Sequence, residues 1–220
     1  FVSLCGDWAF RLFQSPREVP EECLGRDYDL TRFGTLPVPA CWQSHGLDIR
    51  QYTNIQYPFP VDPPWVPADN PAGLYLRDID VPDDGMLRHL VLEGVDSCFY
   101  LFINGAFAAY SQVSHSISEV DLSSCLQPGR NRLALLVLKW CDGSYLEDQD
   151  KPRYSGIFRE AYLLARPREH IRDFRVTQTL DADHCKAGLV VQVKGAADKA
   201  LLYAPDGRLM AEAAPRAGSF

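Results

Sequence analysis

Apolar and polar residues alternate, or gather into short apolar blocks, over most of the chain, which is the pattern of β-strands. The block at 74–81 partly alternates and ends at Pro82, and a second block follows at 88–95. Two further blocks lie at 130–140 and 158–165. Each block has the length and composition of a strand and lies close to turn residues, so each is predicted to form one.

A tight turn is predicted at Asn104-Gly105, which separates the blocks 97–103 and 107–111. A type I′ turn needs positive φ at both of its central residues, and Asn followed by Gly meets this need well. The two blocks are therefore predicted to pair as a β-hairpin.

Helical patterns are nearly absent. No stretch longer than ten residues has a capped helical period, although 117–126 has room for one helical turn that begins at Asp121. Many short strands with regularly spaced turns are typical of a β-sandwich or a jelly roll. The predicted fold class is therefore all-β.

The segment 37–73 does not fit a plain sandwich, because it holds eight of the 16 prolines. Proline removes a donor from the strand ladder, so this segment cannot be a central strand. We expect an ordered, stiff arm that lies over the sandwich or over a neighbouring domain, because aromatic side chains need a surface to pack on. Those side chains are Trp42, Tyr52, Tyr57, Phe59 and Trp65.

A domain boundary is predicted near 165–168. The four short blocks beyond it are 171–179, 188–193, 200–204 and 208–213, and the last two flank the turn residues Pro205-Asp206-Gly207. An immunoglobulin-type sandwich needs about seven strands, so this second unit is expected to be incomplete. Its unfinished sheet leaves apolar surface and an unpaired edge, so self-association or local disorder is expected.

Charge and hydropathy exclude two classes of partner. The 220 residues carry 22 basic and 29 acidic side chains, a net charge of −7, with no basic patch or stripe. Nucleic acid and anionic membrane surfaces are therefore not expected as partners. The longest aliphatic run, 133–138, is far shorter than the ~20 residues of a transmembrane helix.

The cysteines indicate the compartment. The chain has seven, an odd number, and no C-x-x-C pair, which does not match a zinc ribbon or a small disulfide framework. Reduced thiols favour a reducing compartment, so a cytoplasmic location is expected. The chain begins at Phe1 in an amphipathic stretch, so its natural N-terminus, with any leader, is expected upstream.

The usual catalytic motifs of nucleotide-binding proteins, metalloproteases and serine hydrolases are absent, and the five histidines form no ligand pattern. The segment 140–150 instead carries four carboxylates within nine residues. Close carboxylates repel one another unless a cation or hydrogen-bond donors satisfy them, and hard oxygen ligands suit Na⁺, Mg²⁺ or Ca²⁺. The composition of this segment is compatible with a solvated acidic loop and with an ion or polyol site.

Asp96 is a second candidate, because it follows Gly94-Val95 at the end of a predicted strand. A carboxylate at that place can accept hydrogen bonds from sugar hydroxyls. It can equally cap its own turn.

The chain resembles the large bacterial β-galactosidases of glycoside hydrolase family 2 in two adjoining motifs, DGSYLEDQD at 142–150 and SGIFRE at 155–160. Shorter stretches that agree in the same order are 4–10, 38–43, 52–58, 63–67 and 93–97. The resemblance spans essentially the whole chain. The acidic motif favours β-galactosidases over the related β-glucuronidases and β-mannosidases.

The resemblance implies a jelly-roll sugar-binding domain over 1–165, which includes the Pro-rich arm 37–73, and the start of an immunoglobulin-like β-sandwich over 166–220. In the family a (β/α)₈ barrel follows, which carries Mg²⁺ and both catalytic glutamates of a retaining mechanism. No catalytic residue is therefore expected in this chain, and its own glutamates, Glu93, Glu119, Glu147 and Glu160, are not assigned that role. The isolated chain is expected to be inactive.

The resemblance also assigns two site residues. Asp150, the last residue of the acidic motif, corresponds to a residue that binds Na⁺ and contacts the galactosyl end of the substrate. Asp96 corresponds to an Asn or acidic position that donates to or accepts from galactose hydroxyls. The chain departs from the family at Lys151-Pro152, where many members have an apolar residue and Trp, and at Cys5, which replaces a common Asn.

Three functions remain open at this point. The chain is expected to be the non-catalytic part of a β-galactosidase that completes the galactose and Na⁺ subsite. The alternatives are a stand-alone carbohydrate-binding module and a purely structural docking domain. The partners implied by the first are a β-galactoside, the catalytic barrel of the same polypeptide and further copies of the protein in a homo-oligomer.

Overall fold

The alternating blocks of the sequence form strands in the computed structural model, which describes residues 1–147 and 150–215. The chain divides into two compact units, Phe1–Ala165 and Arg166–Phe220. Helical structure in the described ranges is limited to 3₁₀ helices of three to five residues, and none of them is long and apolar enough to cross a membrane. The predicted all-β class is confirmed.

The first unit contains fourteen short or medium strands and five 3₁₀ helices among its described residues. The strands are β1 (Val2–Ser3), β2 (Gly6–Phe13), β3 (Gly34–Val38), β4 (Gln51–Thr53), β5 (Ala72–Val81), β6 (Leu87–Leu92), β7 (Val95–Asp96), β8 (Cys98–Ile103), β9 (Ala106–Ser111), β10 (Ser118–Asp121), β11 (Gly129–Leu138), β12 (Lys151–Arg153), β13 (Gly156–Ile157) and β14 (Ala161–Arg166). The 3₁₀ helices are Pro16–Glu18, Glu21–Leu24, Leu30–Arg32, Trp42–His45 and Asp142–Leu146.

Two antiparallel sheets share the main core of the first unit. One has six strands in the order β3-β2-β5-β11-β8-β9, and the other has four in the order β1-β14-β6-β10. Trp8 and Leu135 of the six-stranded sheet and Leu90 and Leu163 of the four-stranded sheet belong to one buried apolar cluster. Burial of apolar side chains from both sheets in one layer is what makes this unit a β-sandwich.

The central strand β11 is buried on both faces. Leu133 and Leu135 lie in the core between the sheets, and Ala134 lies in a second cluster on the opposite face. That second face is covered by side chains such as Cys23 from the segment that links β2 to β3. Double coverage explains why 133–138, within β11, is a continuous apolar run rather than an alternating one.

The predicted hairpin is confirmed. β8 and β9 pair antiparallel, and the connecting residues Asn104 and Gly105 have φ values of 52° and 89°. The predicted turn at Asp121 is a single hydrogen-bonded turn, in which Leu126 N donates to Leu122 O at 3.0 Å, and it does not continue as a helix.

Two predicted strands have different bounds in the structure. The block 88–95 divides into β6 and β7, and the ring of Phe158 lies 2.7 Å from the point where a Cβ of Gly94 would be. Since only glycine leaves room for that ring, the chain bends there instead of continuing one ladder. The block 158–165 begins its strand later, at Ala161.

The Pro-rich arm packs on its own unit. Between Thr53 and Ala72 it contains no strand, as its prolines predict. The Phe59 ring lies 5.1 Å from the Trp140 ring and 5.3 Å from the Tyr145 ring, centroid to centroid. The Tyr145 hydroxyl donates to the carbonyl oxygen of Trp65 at 2.5 Å. The arm is therefore fastened to the start of the acidic segment.

The second unit consists, over its described residues, of two antiparallel hairpins. The strands are β15 (Ile171–Leu180), β16 (Ala187–Gly195), β17 (Ala200–Tyr203) and β18 (Leu209–Ala213), paired β15-β16 and β17-β18. The predicted turn at Pro205-Asp206-Gly207 joins β17 to β18, with Gly207 at a φ of 84°. The assignment of this unit to an immunoglobulin-like sandwich stays a prediction.

Candidate functional site

Asp96 lies in β7, which pairs with β13 so that Asp96 stands opposite Gly156. Its side chain points into the protein, and the whole residue is only 8% exposed. The peptide bond from Asp96 to Ser97 is cis. The Asp96 carboxylate is mostly enclosed at the end of β7.

The charge of Asp96 depends on a balance between burial and its neighbours. Burial, the largest effect, raises the pKa of Asp96 to about 7, because an ionised carboxylate loses hydration inside the protein. Among the neighbouring charges, Lys151 and Arg153 lower this pKa, and Glu147 raises it. Asp96 consequently changes its charge close to neutral pH.

Lys151 is the direct ionic partner of Asp96. Its Nζ lies 3.7 Å from Asp96 Oδ2, and the side chains of Lys151 and Asp96 are 16% and 11% exposed. Lys151 begins β12, which is paired with β4 along the Pro-rich arm, with Lys151 opposite Thr53. The arm thus holds the strand that places the ammonium group next to the carboxylate.

A chain of polar contacts leads away from Lys151. Its Nζ lies 3.5 Å from His115 Nδ1, which is 2.7 Å from Ser114 Oγ. Ser114 Oγ donates to Glu147 Oε1 at 2.5 Å. Because a hydroxyl group has a single hydrogen, this donation leaves His115 Nδ1 as the donor to Ser114 Oγ, so the approach of Lys151 Nζ to Nδ1 is not a hydrogen bond. Burial, followed by the charge of Lys151, lowers the pKa of His115, so its ring is neutral at neutral pH.

Asp150 has the opposite environment, because it is exposed to solvent. Its carboxylate accepts a hydrogen bond from the Tyr52 hydroxyl of β4. This hydrogen bond is the main reason why the pKa of Tyr52 is raised, since it stabilises the protonated phenol. Asp150 therefore presents an ionisable group to solvent directly beside the strand that carries Lys151.

The structure brings the two predicted site residues into one neighbourhood. Lys151, which pairs with Asp96, directly follows Asp150 in the chain. Asp150 precedes β12 and is exposed to solvent, whereas the side chain of Lys151, the first residue of β12, is only 16% exposed. Asp96 is thus related to Asp150 through Lys151, which contacts Asp96 and is the chain neighbour of Asp150.

The other acids of the segment separate instead of clustering. Asp142 is exposed at the start of a 3₁₀ helix, Glu147 contacts Ser114, and Asp148 lies outside the described residues. In the ranges that the structure describes, no three His, Cys, Asp or Glu side chains form a group that could hold a metal ion. Hydrogen-bond donors thus satisfy Glu147 and Asp150 separately, which relieves their mutual repulsion.

Sequence reasoning missed three residues that surround these carboxylates: Tyr52, His115 and Arg153. Arg153 is 5% exposed and its Nε donates to Thr53 Oγ1 at 2.8 Å. Its Nη2 is buried with no hydrogen-bond partner in the structure as described. Lys151 was noticeable as a departure from the family pattern, but its partner lies far away in sequence and no local signal identifies it.

Comparison with known proteins identifies relatives of the chain. Residues 1–167 match the family model for the sugar binding domain of glycosyl hydrolases family 2. The chain is 48% identical over 192 residues to a β-galactosidase of Actinobacillus pleuropneumoniae, and 46% identical over 191 residues to a β-galactosidase of Yersinia enterocolitica. These alignments cover 87% and 86% of the chain, but the chain spans only 19% and 18% of the length of these relatives.

Solved structures resemble the chain in fold. A β-glucuronidase from an uncultured Clostridium species matches 97% of the chain with a TM-score of 0.69 at 19% identity, over 37% of its own length. A Lactobacillus rhamnosus β-glucuronidase matches 99% of the chain with a TM-score of 0.68 at 19% identity, also over 37% of its length. Identity this low supports the fold alone, so these neighbours say nothing about which sugar the chain binds.

Proposed function

Because the chain belongs to the family of glycosyl hydrolases family 2 sugar-binding domains, we propose that it is the sugar-binding part of a β-galactosidase. The larger polypeptide hydrolyses terminal β-D-galactosides with retention, and this part completes the galactose subsite. The names of the relatives at 46–48% identity support the choice of galactoside. The observation that carries the proposal is the match of residues 1–167 to the family model for the sugar binding domain, supported by the exposed carboxylate of Asp150 beside Tyr52.

In this proposal the chain binds and orients the sugar and does not cleave it. Carboxylates accept hydrogen bonds from sugar hydroxyls, and charge-assisted hydrogen bonds are stronger and more directional than neutral ones. Asp150 is exposed to solvent, and Asp96 is mostly enclosed. The two catalytic glutamates and Mg²⁺ belong to a barrel outside this chain.

The residues present fit one side of a sodium site. The Asp150 carboxylate and the Tyr52 hydroxyl supply hard oxygen atoms, which is the donor type that Na⁺ takes. The described residues offer no group of three His, Cys, Asp or Glu side chains that could hold the ion. Na⁺ bound at Asp150 would supply a fixed positive charge that orients the oxygen atoms of the sugar and the protein.

The test uses the whole polypeptide that contains this chain, assayed on a nitrophenyl β-galactoside. In Asp150→Ala we expect kcat/KM to fall more than ~10-fold, and the response to Na⁺ in place of K⁺ to disappear, because a ligand of the ion and of the sugar is lost. Asp142→Ala is the matched control, since Asp142 is an exposed acid of the same segment. It is expected to stay within about twofold of the unchanged enzyme.

The same assay separates the proposal from its alternatives. Unchanged activity and unchanged Na⁺ dependence in Asp150→Ala would reduce Asp150 to a structural residue. The 220-residue chain alone is expected to show no turnover above buffer, and turnover that copurifies with it would place catalytic residues in this chain. The homo-oligomeric state and the cytoplasmic location stay predictions.

A further inference from the structure

Lys151 and Asp96 form an ion pair in which both charges are mostly withdrawn from water. Many members of the family have an apolar residue at the position of Lys151, so the resemblance assigns no role to this side chain. The family position of Asp96 accommodates either Asn or an acid. A charged residue at both positions in one chain points to a joint role.

We propose that Lys151 is a positioning residue of the sugar subsite: its ammonium group is the counter-charge that holds the buried Asp96 carboxylate in the orientation that sugar hydroxyls require. This inference rests on the proposed function. It adds the residue whose positive charge allows an acid, in place of an amide, to bind sugar hydroxyls at the position of Asp96.

The need for a counter-charge follows from burial. Removing a carboxylate from water is strongly unfavourable unless a cation or hydrogen-bond donors compensate it. Glu147 and the Cys141 thiol raise the pKa of Asp96 and so disfavour its ionised form. Arg153 lowers this pKa, but by less than Lys151 does. Lys151 is therefore the principal neighbour that favours the ionised form of Asp96.

The geometry gives each carboxylate oxygen a separate task. Lys151 Nζ is placed near Oδ2 of Asp96, which leaves Oδ1 as the acceptor for a hydroxyl hydrogen. Lys151 is not a freely moving surface lysine, since its strand is paired with β4 and the next residue is Pro152. A side chain held in this way loses little additional freedom when the sugar binds.

The test is a double-mutant cycle in the whole polypeptide, measured as KM and kcat for a nitrophenyl β-galactoside. Lys151→Met is expected to raise KM about 10-fold with a smaller change in kcat, and Asp96→Asn to change KM by a similar factor. In the Asp96→Asn background, Lys151→Met is expected to change KM by less than about twofold, because a neutral amide needs no counter-charge.

Two controls separate positioning from general stability. Lys151→Arg keeps the positive charge and is expected to recover KM to within about threefold of the unchanged enzyme. Lys139→Met removes a comparable buried pair, since Lys139 Nζ lies 2.6 Å from Asp48 Oδ2 and their side chains are 10% and 11% exposed. It is expected to lower the melting temperature and to leave KM unchanged.

Every outcome of this cycle either supports or contradicts the positioning role of Lys151. If Lys151→Met raises KM by the same factor in both backgrounds, Lys151 acts on the sugar independently of Asp96 and the inference is wrong. If Lys151→Met leaves KM unchanged, the inference is also wrong, while an effect of Asp96→Asn keeps the proposed function. If neither Asp96→Asn nor Asp150→Ala affects KM, the proposed function and the inference fail together.

Discussion

Asp96 gives the first unit a stability that depends on pH. Its pKa is raised to about 7 in the folded chain, against ~3.9 for an aspartate in an unfolded chain. Between these two values the folded state binds more protons than the unfolded state. The free energy of unfolding therefore decreases as the pH rises from about 4 to about 7.

Replacing Asp96 by Asn is expected to remove this pH dependence. From pH 5 to pH 8, the free energy of unfolding of the unchanged chain should fall by about 3 kcal/mol relative to that of Asp96→Asn. This follows from about 1.36 kcal/mol per pKa unit. The measurement is urea unfolding followed by tryptophan fluorescence, which reports the first unit because Trp8, Trp42, Trp65 and Trp140 all lie in it. The exposed Asp69→Asn is the control, and an equal pH response in both variants would contradict the assignment to Asp96.

At the scale of the element, β5 depends on a glycine that makes room for a tryptophan. A Cβ at Gly73 would lie 2.5 Å from Trp42 Cζ2 and 2.8 Å from Phe10 Cε2. Trp42 cannot move aside easily, because it is fully buried and its Nε1 donates to the Tyr75 hydroxyl at 2.7 Å. Close packing of this kind leaves no volume for a methyl group.

Gly73→Ala is accordingly expected to destabilise the first unit by about 1–3 kcal/mol, as overpacking of a core does. Gly34→Ala in the neighbouring strand β3 is the matched control. Its Cβ would lie 3.7 Å from the nearest atom, Phe10 O, which is an ordinary contact. Urea unfolding monitored by fluorescence compares the two, and similar stabilities would mean that Trp42 can shift after all.

Local chemistry accounts for the elements that could be predicted from the sequence. Asn104 and Gly105 are suited to positive φ by themselves, so the hairpin between β8 and β9 needed no knowledge of the rest of the fold. β2 and β3 were not predicted, since Gly6–Phe13 has an irregular pattern of burial along the strand. β2 lies between β3 and β5 in the sheet, so both strands depend on pairing with partners distant in sequence more than on local preference.

The surroundings of the candidate site could be predicted from local sequence even less well than these strands. Asp96 and Asp150 were suggested by a motif and by a strand end, both of which are local signals. The contact of Lys151 with Asp96 depends instead on how β12 pairs with β4 and β7 pairs with β13. Contacts made by tertiary pairing between distant segments leave no periodic or compositional trace, so sequence reasoning could name the carboxylates but not their surroundings.

At the scale of the whole molecule, the second unit has a sheet with two unlike faces. In the β15–β16 pair, Phe174 stands opposite Val193, and Val176 opposite Val191, so these apolar residues share one face. The other face carries polar pairs such as Arg175 with Gln192. Phe174 remains 64% exposed and Val176 50% exposed. A two-stranded sheet is at best marginally stable in water unless such a face is covered.

We therefore expect the 220-residue chain to self-associate through this apolar face. Sedimentation velocity should show a weight-average mass that rises with concentration, and Phe174→Lys with Val176→Lys should abolish the rise, because burying two ammonium groups at the contact is unfavourable. Thr177→Lys with Thr179→Lys adds the same charge to the opposite face and is the matched control.

If the control pair abolishes the association equally well, net charge and not the apolar face governs it. If the unchanged chain sediments as a monomer at every concentration, the expectation is wrong and the two hairpins cover enough of this face by themselves. Leu189 and Val191 of β16 line a cleft there together with Leu202 of β17.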